Sequence, residues 1–189
     1  MLTQILHRSS LAILTTLLLA GCATGVSNVE VPINLPQAVP ISMAAPRRAQ
    51  VQVTDIRKDA NLERTSIGGV SMGRITLKPP ENELVQKLIE TKADEVLLRR
   101  GETDPQTVLC GIRVFMIATP ATMVYWDINT TIELVLRVRG QDRTVSGAAT
   151  ERTFIWPSDE IIQRVTIEAL RQSGEEADRA LTELFALPR

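Results

Sequence analysis

Histidine and cysteine are both scarce in this sequence, and neither sign of charge is in excess. The 189 residues include one histidine, two cysteines, and 21 basic against 22 acidic side chains. Because the histidine is His7, the rest of the chain offers no imidazole for acid–base catalysis, a catalytic triad or a histidine-ligated metal. The balanced charge gives no electrostatic footprint for nucleic acid. The composition therefore argues against an enzyme, a metal site and nucleic-acid binding, and no cofactor is predicted.

The first hydrophobic run, Leu11 to Leu19, is too short to span a bilayer, which takes roughly 20 apolar residues. It follows the basic pair His7-Arg8 and has the length of a signal-peptide hydrophobic region. It ends in Leu19-Ala20-Gly21-Cys22, which resembles the bacterial lipobox. The resemblance implies cleavage before Cys22 and attachment of lipid to its thiol. An ordinary signal peptide that ends in a cysteine by chance is the alternative.

A lipidated Cys22 would hold the chain at a membrane, because two or more acyl chains anchor a protein stably. Ala23 and Thr24 follow, without the aspartate that marks inner-membrane retention in enterobacterial sorting signals, which these residues otherwise resemble. We therefore expect a lipid-anchored protein of the cell envelope, at the outer membrane and facing the periplasm.

Cys110 would then have no partner within the chain. It lies in the apolar run Val108 to Ile117, which favours a buried thiol. A functional thiol is the alternative, but no histidine or adjacent basic residue is present to lower its pKa.

Three segments are predicted: a signal peptide over 1–21, the lipidated cysteine with a proline-containing tether over 22–49, and a single domain over 50–189. Four prolines between residues 32 and 46 exclude a helix or a central strand from the tether. As a spacer at about 3.1 Å per residue it could reach roughly 80 Å. A short edge strand is left open by the alternation of Val29, Val31, Ile33 and Leu35.

Residue periodicity predicts two helices and several strands in the domain. The first predicted elements are a strand from Val51, a glycine-rich strand or loop over 67–77 and a helix over 81–100. Three strands follow, over 107–119, 124–139 and 143–156, and the last two are joined by a turn at Gly140-Gln141-Asp142. The final element is a helix over 158–187 that continues straight through Gly174. In the 124–139 strand, Val124, Trp126 and Ile128 begin an apolar side, and the other side is polar. Helices should therefore cover only one face. We predict an α+β fold: a two-layer sandwich of a mainly antiparallel sheet of about four to five strands with two helices on one face.

This layout resembles the YajG-type lipoproteins of Gram-negative bacteria. The shared features are the lipobox, a tether, a strand that ends in Asp55-Ile56-Arg57, the pair Ile67-Gly68, a helix closing on Gly101, a long hairpin and a C-terminal helix. More distantly, the sequence is similar to the auxiliary lipoproteins of lipid transporters. The resemblance implies a fold and an envelope location, and it carries no enzymatic activity.

Two motifs near the start of the domain have both a functional and a structural interpretation. Asp55 and Arg57 share a face of their strand, so they form either a polar contact for a partner or a strand-end ion pair. Residues 68–73 are glycine-rich, but no lysine follows and the segment leads into Ile75-Thr76-Leu77 rather than a helix. This excludes a phosphate-binding loop and favours a bulge or tight turn.

The strand over 107–119 is apolar on both sides, so one side should lie on the uncovered face of the sheet. We expect that side to hold Leu109, Phe115 and Ile117, together with Arg113. A polar-rimmed apolar patch usually marks an interface. Alternatively, the tether folds back through residues 29–35 and covers it.

We therefore expect a non-catalytic interaction or assembly domain that binds envelope proteins not identified by the sequence, and a homo-oligomer is one form this could take. The alternatives are a lipid-handling auxiliary lipoprotein of an envelope transport system, or an envelope hydrolase. A hydrophobic cavity between helices and sheet would support lipid handling. A cleft with clustered carboxylates would support catalysis.

Overall fold

The computed structural model describes residues 28–35, 48–58, 62–65 and 69–186. The predicted signal peptide, Cys22 and the pair Ile67-Gly68 lie outside these residues. The described elements are β1 (Val29–Pro32), β2 (Ala49–Asp55), β3 (Glu63–Thr65), β4 (Ser71–Lys78), α1 (Glu81–Arg99), β5 (Gln106–Thr119), β6 (Trp126–Val138), β7 (Gln141–Thr153) and α2 (Asp159–Ala186).

Both predicted helices are confirmed. α1 begins directly after Pro79-Pro80, where the missing amide donors cost nothing, and ends before Gly101, whose φ of 68° suits the residue past a helix end. α2 begins after Ser158, whose Oγ accepts the Ile161 N–H at 3.4 Å. It continues through Gly174 without a break because its apolar stripe keeps the same phase on both sides.

The β6–β7 hairpin turns at Arg139-Gly140, with φ values of 51° and 80°. Two positive φ values in a two-residue loop match the right-handed twist of the flanking strands. The predicted turn at residues 140–142 is therefore placed slightly too late, since Gln141 already pairs with Val138.

The prediction of about four to five mainly antiparallel strands is wrong. Seven strands form one mixed sheet in the order β1-β4-β3-β5-β6-β7, and β2 also pairs with β5. The pairs β1–β4, β2–β5 and β3–β5 are parallel. The pairs β3–β4, β5–β6 and β6–β7 are antiparallel.

The parallel pairs depend on long connections. A chain that leaves β3 passes through β4 and α1 before it enters β5, so it can return to the same end of the sheet and run in the same direction. Side-chain alternation along a strand has the same period in both kinds of pairing. Periodicity therefore could not reveal the strand directions.

Both helices pack on the same face of the sheet, and the core lies between them and it. The side chains of β6 that point to this face are fully buried, among them Ile128, Ile132 and Leu134. α2 approaches β7 closely at Gly147, where a Cβ atom would lie 2.2 Å from the Ala169 carbonyl oxygen. Asp94 of α1 accepts the backbone N–H of Ala49 at 2.8 Å and so joins that helix to the start of β2.

The faces predicted for β5 are wrong at Phe115 and Ile117, which are buried in the core. The pairing of β5 with β6 shifts between Ile112 and Val114, as in a β-bulge. One extra residue moves all following side chains to the other face. The core face therefore takes Val108, Cys110 and Ile112 of one apolar set before the bulge, and Phe115 and Ile117 of the other set after it.

The spacer interpretation of the tether is wrong for residues 28–35. Val29–Pro32 forms β1 at the edge of the sheet, and the backbone N–H of Ile33 donates to the Lys78 carbonyl at 2.7 Å. Val31 and Ile33 are buried in the core. The edge-strand alternative is confirmed, and Pro32 is tolerated because its missing donor faces no further strand. This segment extends the sheet and does not cover its open face.

Candidate functional site

Asp55 and Arg57, predicted as either a partner contact or an ion pair, are bonded to each other. Arg57 Nη2 lies 2.6 Å from Asp55 Oδ2, and Arg57 Nε lies 2.9 Å from Asp55 Oδ1. These bonds lower the pKa of Asp55 and raise the pKa of Arg57. Arg57 Nη1 also lies 3.3 Å from a Glu81 carboxylate oxygen at the start of α1.

Arg57 contacts β5 on the side opposite β6, at a stretch where none of the described strands pairs with that edge. β2 pairs with β5 as far as Ile112, and β3 pairs with it from Ala118 onward. In the gap between them, Arg57 Nη1 donates to the Phe115 carbonyl at 3.4 Å. Only 7% of the Arg57 side chain is exposed. This geometry gives the pair a structural role, and a role in binding a partner stays a prediction.

The open face of the sheet is occupied by cross-strand polar pairs. Directly opposed residues of β6 and β7 are bonded, including Asp127 with Arg152 at 2.8 Å and Asn129 with Thr150 at 2.8 Å. Arg113, exposed as predicted, pairs with Glu133 at 2.7 Å. Such pairs stabilise a sheet and leave few charges on this face without a partner.

The apolar part of the open face has other residues than predicted, because Phe115 and Ile117 point to the core and Met116, 44% exposed and opposite Thr131, lies on the open face instead. Leu109 remains on it, 40% exposed. It borders a shallow cavity of about 350 Å³ beside Gly111, where the Ile56 side chain lies 2.9 Å from the position a Cβ would take. Ile56 and Val135 also line this hollow.

Cys110 is buried, as predicted, and forms no disulfide within the part of the chain that the structure describes. Burial raises the pKa of its thiol to about 12. The thiol is therefore protonated at neutral pH, which favours the structural interpretation over a reactive one.

A more exposed apolar surface lies at the end of the sheet where β5 leads to β6 and β7 leads to α2. We call it the aromatic tip, and its residues are Met123, Val124, Tyr125, Trp126, Phe154, Ile155 and Trp156. The whole sequence has two tryptophans, one tyrosine and three phenylalanines, and four of these six residues belong to the tip. Both tryptophans are among them.

The aromatic tip is open to solvent to an unusual degree for its composition. Met123 is 90% exposed, Phe154 71% and Ile155 70%. Val124, predicted to point at the helices, is exposed as well, because the strand begins only at Trp126. Contiguous exposed apolar surface of this kind usually marks an interaction site.

Specific contacts hold the tip in shape. Thr122 Oγ1 accepts the N–H of Tyr125 at 2.9 Å, which fixes the loop before β6. The Tyr125 and Phe154 rings meet edge to face at 6.4 Å, and the Trp126 and Trp156 rings meet in the same way at 4.8 Å. Trp126 also packs against the core, so the tip is anchored to the domain.

Arg64 supports the tip from inside the domain. Its guanidinium lies 5.6 Å from the Trp156 ring centre, and its Nη2 lies 3.3 Å from an Asp159 carboxylate oxygen. Burial lowers the pKa of Arg64, and its Nε has no hydrogen-bond partner among the described residues. It lines a cavity of about 550 Å³ together with Val29, Trp156 and the start of α2.

The sequence interpretation missed the tip because it followed strand periodicity. The available signal was compositional: Tyr125-Trp126 and Phe154-Ile155-Trp156 gather most of a small aromatic content at two strand ends. Their meeting in space depends on the hairpin register, in which Trp126 pairs with Thr153.

No helix among the described residues is long and apolar enough to cross a membrane. Within the same residues, no group of three or more histidine, cysteine or acidic side chains is arranged to hold a metal ion.

No protein-family model matches the sequence, and no curated protein matches it. A solved structure of a protein of uncharacterised function is similar over 82% of this chain and 99% of its own, with 10% identity and a TM-score of 0.47. A Caulobacter crescentus protein provisionally described as a lipoprotein is similar over 52% of this chain and 79% of its own, with 9% identity and a TM-score of 0.29. A Xanthomonas campestris protein of family DUF330 is similar over 84% and 92%, with 9% identity and a TM-score of 0.34. At these values the likeness assigns neither a family nor a function.

Proposed function

We propose that this chain is a lipid-anchored protein of the bacterial cell envelope whose domain is a non-catalytic interaction module. The anchor is the lipidated Cys22, and the location is the outer membrane, facing the periplasm. The proposal combines the lipobox-like Leu19 to Cys22 with the surface of the domain. The observation that carries it is the aromatic tip, an apolar surface too exposed to serve only the fold.

A lipid-handling auxiliary protein of an envelope transport system is the second candidate. The cavity at the tip favours it, because Val29 and Trp156 offer apolar contacts there and Arg64 offers a positive charge. Such a lining suits an amphipathic ligand. This cavity opens at the surface between β1, β3 and the start of α2, whereas the one beside Leu109 lies on the open face of the sheet. The absence of enzymatic activity stays a prediction, and so does assembly into a homo-oligomer.

The anchor is tested by growing cells that express the full chain with labelled palmitate. We expect the wild type to carry label in the outer-membrane fraction and Cys22→Ala to carry none, because that thiol is the attachment point. Cys110→Ala is the matched control, since it removes the other cysteine and should keep the label. Label that persists in Cys22→Ala would contradict the proposal.

A further inference from the structure

The point where the chain enters the domain bears on what the aromatic tip contacts. β1 pairs in parallel with β4, with Val29 opposite Ile75, and Asn28 accepts the Arg74 N–H at 3.1 Å. Arg74 pairs with Glu63, which in turn lies beside Ala118 near the end of β5. Asn28 therefore lies at the end of the sheet from which the tip projects. Val29 also lines the same cavity as Trp156.

The reach of the preceding segment is short. Cys22 comes six residues before Asn28. At about 3.3 to 3.6 Å per residue, six residues span roughly 20 Å when fully extended. Because β1 runs away from the tip, its first residue is at the tip end of the sheet. If Cys22 carries the lipid, the tip is the part of the domain held nearest to the bilayer.

The chemistry of the tip fits the boundary between lipid and water. Tryptophan and tyrosine, with an apolar body and a polar edge, are enriched at membrane interfaces. Phe154 and Ile155 add exposed side chains without any polar group. The Arg152 guanidinium lies 3.8 Å from the Tyr125 ring centre and pairs with Asp127, so its charge does not oppose burial of the ring.

We propose that the aromatic tip inserts into the interfacial layer of the same membrane that holds the Cys22 lipid, so that the domain lies against the bilayer. This inference rests on the proposed lipid anchor. The exposed surface of the tip then contacts lipid. The contact is apolar and needs no anionic headgroup, because the arginines at the tip are paired with Asp127 and Asp159.

The test uses the mature lipidated protein reconstituted into phosphatidylcholine vesicles, with and without bromine on the acyl chains. Trp126 and Trp156 are the only tryptophans, and both belong to the tip, so the native fluorescence reports on it directly. We expect bromine to quench the wild-type emission strongly. In Phe154→Ser/Ile155→Ser the partition of the tip into lipid should fall roughly tenfold or more, and most of the quenching should be lost.

Leu98→Ser is the matched control. Leu98 is 48% exposed and lies at the end of α1 that leads to the start of β5, opposite the tip. This variant should keep the full quenching. Thermal melting checks all variants, and little change is expected because the replaced side chains are largely exposed.

Three outcomes would overturn the inference. If the protein binds vesicles but bromine does not quench its tryptophan emission, the tip lies in water and the lipid anchor is still supported. If bromine does not quench the tryptophan emission, but the emission shifts to shorter wavelength as the density of protein on the vesicles rises, a second copy of the chain covers the tip. Protein that carries no lipid by mass spectrometry and does not float with vesicles would remove the proposed function together with the inference.

Discussion

Phe115 and Leu109 lie on the same strand and differ in their surroundings. Phe115 is 2% exposed and packs in the core, whereas Leu109 is 40% exposed on the open face. The bulge between Ile112 and Val114 separates them, so two residues of the same parity in the sequence point in opposite directions.

The substitution Phe115→Glu should unfold the domain, because an unpaired carboxylate in the core costs several kcal/mol. Leu109→Glu should change the free energy of unfolding by about 1 kcal/mol or less, since its side chain reaches water. Urea denaturation of both variants measures the difference. Equal stabilities would show that the two residues share a face and that the bulge is absent.

At the scale of elements, the contact between α2 and β7 depends on glycine at position 147. A Cβ there would lie 2.2 Å from the Ala169 carbonyl oxygen and 2.4 Å from Ser173 Oγ. Ser173 is itself held, because its Oγ donates to that same carbonyl at 2.9 Å. The helix backbone cannot move aside without leaving the sheet along its length.

We therefore expect Gly147→Ala to lower the free energy of unfolding by about 3 kcal/mol, at the upper end of the cost of overpacking. Gly174→Ala, in α2 itself, is the control, because a Cβ there would come close only to the end of the half-buried Leu88 side chain, at 3.0 Å. That side chain can shift, and alanine favours a helix by about 1 kcal/mol over glycine. In calorimetry, the melting temperature of Gly174→Ala should equal or exceed that of the wild type. A stable Gly147→Ala would refute the close approach.

At the scale of the whole molecule, β1 decides where the domain begins. Val31 is fully buried, although it lies among prolines and the sequence interpretation placed it in a tether. The predicted tether extended from Cys22 to residue 49. Because β1 belongs to the sheet, the domain begins at Asn28, six residues after Cys22. The same strand therefore contributes to the stability of the core and, under the proposed lipid anchor on Cys22, limits the distance between the domain and the membrane.

Val31→Asp tests this assignment, since a tether would tolerate an aspartate and a core would not. We expect the free energy of unfolding to fall by several kcal/mol. Glu30→Ala removes a neighbouring side chain that is 61% exposed and paired with Lys78, and it should change stability by about 0.5 kcal/mol or less. Urea denaturation compares the two. If Val31→Asp is as stable as the wild type, this segment is part of a tether and not of the core.

The parts of the fold that were predictable from the sequence are those set by neighbours along the chain. The stripes of α1 and α2, the proline start and glycine end of α1, and the alternation in β6 act over a few residues. The burial of Cys110 followed from its apolar run. The lipobox-like motif is also a local pattern, and the anchor predicted from it rests on the sequence alone.

Tertiary structure alone decided how these elements combine. Strand direction, the face taken by Phe115 and Ile117, and the inclusion of β1 depend on partners far away in the chain. The aromatic tip also joins two loops that are about thirty residues apart, through the register of β6 and β7. Periodicity records which side of an element is apolar, because that is a property of each element by itself. It does not record which elements pack together, and the exposed aromatic tip of this protein forms where two separate segments of the chain come into contact.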